Sequence, residues 1–218
     1  MRTWDNFYKD LLVMAPGCPE PMADYALLRA AQEFFKATRI DKLFMDPITL
    51  KANPADLVHS YINYDVPLPR NREIVRIEKA LLNTRTIDVV TQDLLPPDWM
   101  TNGIGISECV FTLDRKTVNV LPSRDVTLIP GGYTLVLQCS LTPSDKAIGI
   151  ENDQFDLYAE AISWGAAARL MLQPKKPYTD VNLGALKRAE FMDAIGMVSI
   201  QNWRGFSSAR PRASVKTF

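Results

Sequence analysis

Asp153-Gln154-Phe155-Asp156-Leu157-Tyr158-Ala159-Glu160-Ala161-Ile162-Ser163-Trp164-Gly165-Ala166-Ala167-Ala168-Arg169-Leu170-Met171-Leu172 carries apolar or small residues nearly all the way round a helical wheel. A helix of that kind is buried on several sides, and its small residues let neighbouring helices approach closely. Pro174 and Pro177 end it, because proline removes backbone donors. Downstream, Thr179 or Asp180 reads as the N-cap of a last helix reaching about Ser199, with Leu183, Leu186, Phe191, Ala194, Ile195 and Val198 on its inner side. At the other end of the chain, Leu27, Leu28, Ala31, Phe34, Phe35 and Thr38 share one face of a helix from near Glu20 to about Ile40. Arg29, Glu33, Lys36 and Arg39 lie largely on its opposite face. Before it, Trp4, Phe7, Leu11 and Met14 recur at helical steps, and Pro16-Gly17-Cys18-Pro19 separates the two segments.

Between Asp46 and Pro143 the pattern changes. Short runs rich in Val, Ile, Thr and Tyr alternate with prolines and glycines, as strands require. The candidates are 57–65, 72–82, 85–92, 106–113, 116–121 and 133–141, with Asp114-Arg115 as a tight hairpin turn. Evenly spaced strands without intervening helices predict an antiparallel β-sandwich or barrel. Neither pair of helices easily buries its apolar face alone. The expected fold is therefore α+β: a discontinuous antiparallel helical bundle from the terminal helices (1–44 and 151–200), an inserted β-rich domain (45–150) and an extended C-terminal arm (201–218).

Apolar residues make up 47% and charged residues 23% of 218, the balance of an ordinary soluble domain. The 25 basic and 25 acidic groups cancel, so no whole-chain field draws the protein to nucleic acid or an anionic membrane. The charge is unevenly spread: residues 201–218 hold four bases and no acid, leaving 21 bases against 25 acids before them. No leader is expected at the N-terminus, and no apolar run approaches a bilayer span. Cys18, Cys109 and Cys139 form neither a disulfide framework nor paired zinc ligands, so a reducing host cytoplasm is the expected place of folding.

Catalytic chemistry finds little support. His59 is the only histidine and has no sequence-near partner for a metal. No G-x-S-x-G occurs, and Gly103-Ile104-Gly105 and Gly131-Gly132 do not extend into phosphate-binding loops; they read as turns. Asp5 with Asp10 and Asp153 with Asp156 read as helix-start charge. Arg169 stands out on an apolar helix, either snorkelling or N-terminally paired, or forming an ion pair between subunits; Arg29, Glu33 and Arg169 are the candidate subunit-interface residues. The expectation is a protein without an active site, cofactor or metal.

The last eighteen residues have no helical or strand period, yet Trp203, Phe206 and Phe218 alternate with arginines. A solvated tail generally lacks such aromatics, and Trp and Arg are the side chains richest in interface hot spots. A solvated tail, a nucleic-acid-binding tail and a segment that orders on a protein partner are the three readings. Four positive charges are few for tight nucleic-acid binding. The aromatic spacing favours a protein partner.

The Pro16–Pro19 break, the helix bearing Ala26, Leu28, Arg29, Ala31, Glu33 and Phe34, the β-rich middle, Tyr158–Leu170, Pro174-Lys175-Lys176-Pro177-Tyr178 and a last helix with Phe191 together resemble the head-to-tail adaptor (connector) proteins of tailed bacteriophages, tail-tubular-A-like. The resemblance implies a virion structural protein forming a ring, a dodecamer, beneath the portal and joining it to a tail tube or nozzle protein. Double-stranded DNA would pass through without sequence-specific binding, and no membrane is involved. It also implies a C-terminal arm on the portal, so Trp203, Arg204, Phe206, Arg210, Arg212, Lys216 and Phe218 become the portal-binding candidates. The rival readings are a nucleic-acid-binding protein using the basic arm and a non-catalytic ligand-binding β module.

Overall fold

The structure is a computed structural model that describes residues 1–50, 62–95, 108–121 and 133–204. Its chain forms two compact units, Met1–Ile40 with Thr142–Phe218, and Asp41–Leu141. The second unit begins at 41 rather than the expected 45, and the first resumes at 142 rather than 151. Both helices and strands are present, so the fold is mixed α+β, with four helices and a curled half-barrel sheet among the described residues.

The first unit opens with β1 (Arg2–Thr3), a 3-10 turn over Trp4–Phe7 and α1 (Tyr8–Met14). Gly17 takes a left-handed φ of 77° in the break before α2 (Glu20–Thr38). All six residues expected on the inner face of α2, Leu27 to Thr38, are buried. After β10 (Gly149–Ile150), which pairs antiparallel with β1, come α3 (Asn152–Met171) and α4 (Val181–Arg204). Asp180 caps α4: its Oδ1 accepts the Leu183 N–H at 3.0 Å. Helix α3 contacts α1, α2 and α4, as its all-round apolar character requires. Trp4, Phe7, Leu27, Phe34, Phe35, Ile162 and Phe191 lie in one continuous core, and the Trp4 indole N–H donates to the Ala147 carbonyl at 2.9 Å.

Two expectations about α4 change. The helix runs on to Arg204 rather than stopping near Ser199, so residues 201–204 are helical and not part of an extended arm. Leu186, expected inside, is 55% exposed, whereas Phe191, Ala194 and Ile195 are buried as expected.

The second unit holds β2 (Lys42–Phe44), β3 (Ile48–Thr49), β4 (Ile62–Asp65), β5 (Arg72–Leu82), β6 (Arg85–Val89), β7 (Cys109–Phe111), β8 (Thr117–Leu121) and most of β9 (Thr134–Pro143). The sheet order is β2-β9-β5-β6-β7-β8-β4, with β3 also on β9. The β6–β7 pair is parallel, Asp88 opposite Cys109, so the sheet is mixed rather than purely antiparallel. Leu135, Leu137, Cys139 and Leu141 alternate along β9 into a core shared with Ile74, Ile77, Val118 and Val120. Asp41 and Arg72 form a buried ion pair beside it.

Two turns show how local chemistry sets this sheet. Asn83 and Thr84, at φ 45° and 76°, make the two-residue link between β5 and β6, with Leu82 paired to Arg85. The β7–β8 link is five residues long, not the two-residue hairpin expected at Asp114-Arg115. Asp114 Oδ1 accepts the N–H groups of Lys116 (2.7 Å) and Thr117 (2.6 Å). Those bonds, Lys116 first, hold the Asp114 carboxyl below the usual carboxylate range.

Candidate docking site

The charged face of α2 is occupied from within the chain. Arg188 of α4 grips the Glu33 carboxylate at two points, Nη1 to Oε2 at 3.0 Å and Nη2 to Oε1 at 2.6 Å, and Arg169 of α3 adds a bond to Oε2 at 2.5 Å. One carboxylate thus ties three helices, in the fork geometry that suits guanidinium best. The bond from Arg188 comes first in holding the Glu33 carboxyl below its ordinary range, against the opposing effect of partial burial; Arg169 adds to it. Arg29 donates to Gln32 Oε1 (2.9 Å) and Asp145 Oδ1 (3.3 Å) and lies over the Tyr25 ring. Of the expected subunit-interface residues, Arg169 and Glu33 therefore pair with each other inside one chain. They line a shallow groove with Arg29, Gln32, Lys36 and Ala37.

Helix α4 presents a second surface that periodicity alone did not single out. On the side away from Phe191 it exposes Leu186 (55%), Met192 (47%), Met197 (67%) and Ile200 (55%), with Ala185, Ala189 and Gly196 interspersed and exposed. Asp193 is the charge at the centre of this stripe. Large contiguous apolar faces on a protein surface commonly belong to interaction sites, which makes this face a second candidate. The signal was present in the three- and four-residue spacing of these residues. It was masked because the inward set of the same helix is equally apolar.

A third feature lies between α1 and α3. Lys9, Asp10, Val13 and Met14 face Glu160, Ser163 and Trp164 across an open groove. Ser163 is fully buried, and its hydroxyl has no hydrogen-bond partner among the described residues. Such a group costs about 1–3 kcal/mol when left unmet. The Lys187 ammonium sits 5.4 Å from the centre of the Trp164 ring.

The expected portal-binding residues divide. Trp203 and Arg204 belong to the last turn of α4, while Phe206, Arg210, Arg212, Lys216 and Phe218 lie outside the described residues. The root of the segment is fixed: Asn202 Nδ2 donates to the carbonyls of Thr38 (2.7 Å) and Arg39 (3.1 Å), joining the end of α4 to the end of α2. Arg39 there adopts a left-handed φ of 50°, the usual way for a helix to stop. His59, Gly103, Gly105, Gly131 and Gly132 also lie outside the described residues.

Among the described residues, no group of three His, Cys, Asp or Glu side chains could hold a metal ion, and no helix is long and apolar enough to cross a membrane. The three cysteines are free and buried. Burial raises all three thiols, Cys139 to about 12, so they stay protonated at neutral pH. The sequence matches no protein-family model and no curated protein.

Proposed function

We propose that this chain is a structural adaptor of a tailed-bacteriophage virion, assembling as a ring that joins the portal to the tail and lines the DNA exit channel. The observation that carries the reading is α4: its outer face is apolar over about four turns, and it leads directly into the basic, aromatic residues 203–218. Ring closure needs two different patches on one subunit, and α4 offers one of them. In this reading the terminal helices act as a discontinuous antiparallel bundle carrying the ring contacts. The β unit, a sandwich or barrel in the finer description, meets a tail tube or nozzle protein. Trp203, Arg204, Phe206, Arg210, Arg212, Lys216 and Phe218 engage the portal, with aromatic and arginine anchors suited to a desolvated interface. The acidic excess of residues 1–200 keeps passing double-stranded DNA from being held.

The test is electron microscopy of the chain mixed with the portal of the same virion. A twelve-subunit ring on the portal, with density for residues 203–218 lying on it, supports the reading. A chain that ignores the portal, or whose recruitment survives deletion of 203–218, overturns it.

A further inference from the structure

Helix α2 ends in a conformation that its own sequence does not favour. Arg39 follows it in the left-handed region at φ 50°, where a Cβ is strained and glycine is the usual occupant. Such a backbone persists only where the surroundings fix it. The Arg39 N–H is used in the ordinary way, donating to the Phe35 carbonyl at 2.9 Å. Asn202 supplies a second restraint. Its Nδ2 donates to the carbonyls of Thr38 (2.7 Å) and Arg39 (3.1 Å), which belong to the peptide planes on either side of the Arg39 Cα. One amide therefore holds the two planes whose relative rotation defines the φ and ψ of Arg39. Just beyond, at Asp41, the chain enters the second unit. Asp41 is anchored there by its ion pair with Arg72 and by its carbonyl, which accepts the Leu141 N–H at 2.8 Å.

We propose that Asn202 is a conformational latch. While the last turn of α4 is wound, its amide holds Arg39 left-handed and keeps the exit of the chain from α2 rigid. When that turn unwinds, the restraint is lost and the exit loosens. The basic, aromatic residues 203–218 begin directly after the latch. Whatever steadies or unwinds their root therefore acts on the α2 exit through this one side chain. The device goes beyond the adaptor reading and does not depend on it.

Native-state hydrogen exchange on the full chain reads the latch at two amides, Arg39 and Leu141. Asn202→Ala should speed exchange at both by about three- to tenfold, the loss expected of one or two ordinary hydrogen bonds. Amides of Ala26–Ala31 in α2 and Ile77–Ala80 in β5 should be unchanged. Asn202→Asp, which keeps the shape and loses the donor, should behave like Asn202→Ala. Gly196→Ala tests the link to α4, because a Cβ there meets nothing within 4 Å and alanine strengthens the helix. It should slow exchange at Arg39 and Leu141 in the parent chain and do nothing there when Asn202 is already alanine, the non-additivity that a double-mutant cycle reads as coupling. Three results would each overturn the latch: no response of Arg39 and Leu141 to Asn202→Ala, a response shared equally by the α2 and β5 amides, or a Gly196→Ala effect that survives without Asn202. The adaptor reading stands or falls separately, since portal recruitment plays no part in these measurements.

Discussion

The Phe191 ring rests directly on Gly165, so that a methyl group at position 165 would lie 2.8 Å from ring carbon Cε2. Here α4 packs directly on the backbone of α3, and Phe191 is fully buried. Gly165→Ala should therefore force the helices apart. Overpacking of this kind costs about 1–3 kcal/mol, against up to about 1 kcal/mol of improved helix propensity. We expect a net loss of about 1–2 kcal/mol, read as a lower urea midpoint; an unchanged midpoint would show that the two helices separate freely.

Glu33 gives the first unit a pH-dependent contribution. Its carboxyl is held below the ordinary 4.5 by Arg188 and Arg169. A depressed folded-state value stabilises the protein above the unfolded value, and the gain disappears as pH falls through the folded one. Because the partners are 39–40% exposed, screening limits the contribution to about 0.5–1 kcal/mol. Glu33→Gln should be less stable than the unsubstituted chain by that amount at neutral pH. The gap should narrow below pH 4.5. Urea unfolding at neutral pH and at about pH 3.5 checks the sign; a gap that widens on acidification would contradict it.

What the sequence made legible follows from range. The inner face of α2 and the limits of β5 were readable because 3.6- and two-residue periods are local, and 72–82 was both expected and found as one strand. The parallel β6–β7 pairing was not, since the register of two strands separated by a long connection is a tertiary property. Arg169 and Arg188 meet Glu33 across 136 and 155 residues, so no local pattern announces the cluster. Leu186 was misplaced for another reason. Apolar residues surround α4, and periodicity cannot say which apolar face turns inward. The groove under Val13 depends on how α1 packs on α3, which only the structure supplies.

Thr84 holds a strained position. It is β-branched and sits at φ 76° in the link between β5 and β6, a region where only glycine is free of a Cβ penalty. The neighbouring Asn83 suits its own left-handed angle and accepts the Thr134 N–H at 2.7 Å through Oδ1. Thr84→Gly would create the Asn-Gly pair that two-residue hairpins favour. Relief of strain of about 1 kcal/mol, less the entropy glycine adds to the unfolded chain, should leave a small net gain in urea midpoint. A loss would mean that the Thr84 side chain contributes more than its backbone costs.

Asn119 poses the sharpest question in the second unit. It lies in β8, opposite Phe111 in β7 and Asn63 in β4, and is fully buried. Neither its Nδ2 nor its Oδ1 has a hydrogen-bond partner among the described residues. Each unmet polar group costs about 1–3 kcal/mol, and replacing it by an apolar group of similar shape removes that cost. Leucine keeps the four-heavy-atom branch of asparagine in a somewhat larger, non-planar form, and adds apolar contact in a strand whose next residue on the same face, Leu121, packs with Cys109 and Phe111. Asn119→Leu should therefore raise stability by at least about 1 kcal/mol, whereas Asn119→Ala, which leaves a void, should gain less. The comparison separates two physical accounts. If both variants unfold at higher urea than the parent, with leucine ahead, the amide is a net cost in the native sheet. If leucine instead destabilises the protein, the amide has partners in solution, and its two bonds rather than its desolvation set its contribution.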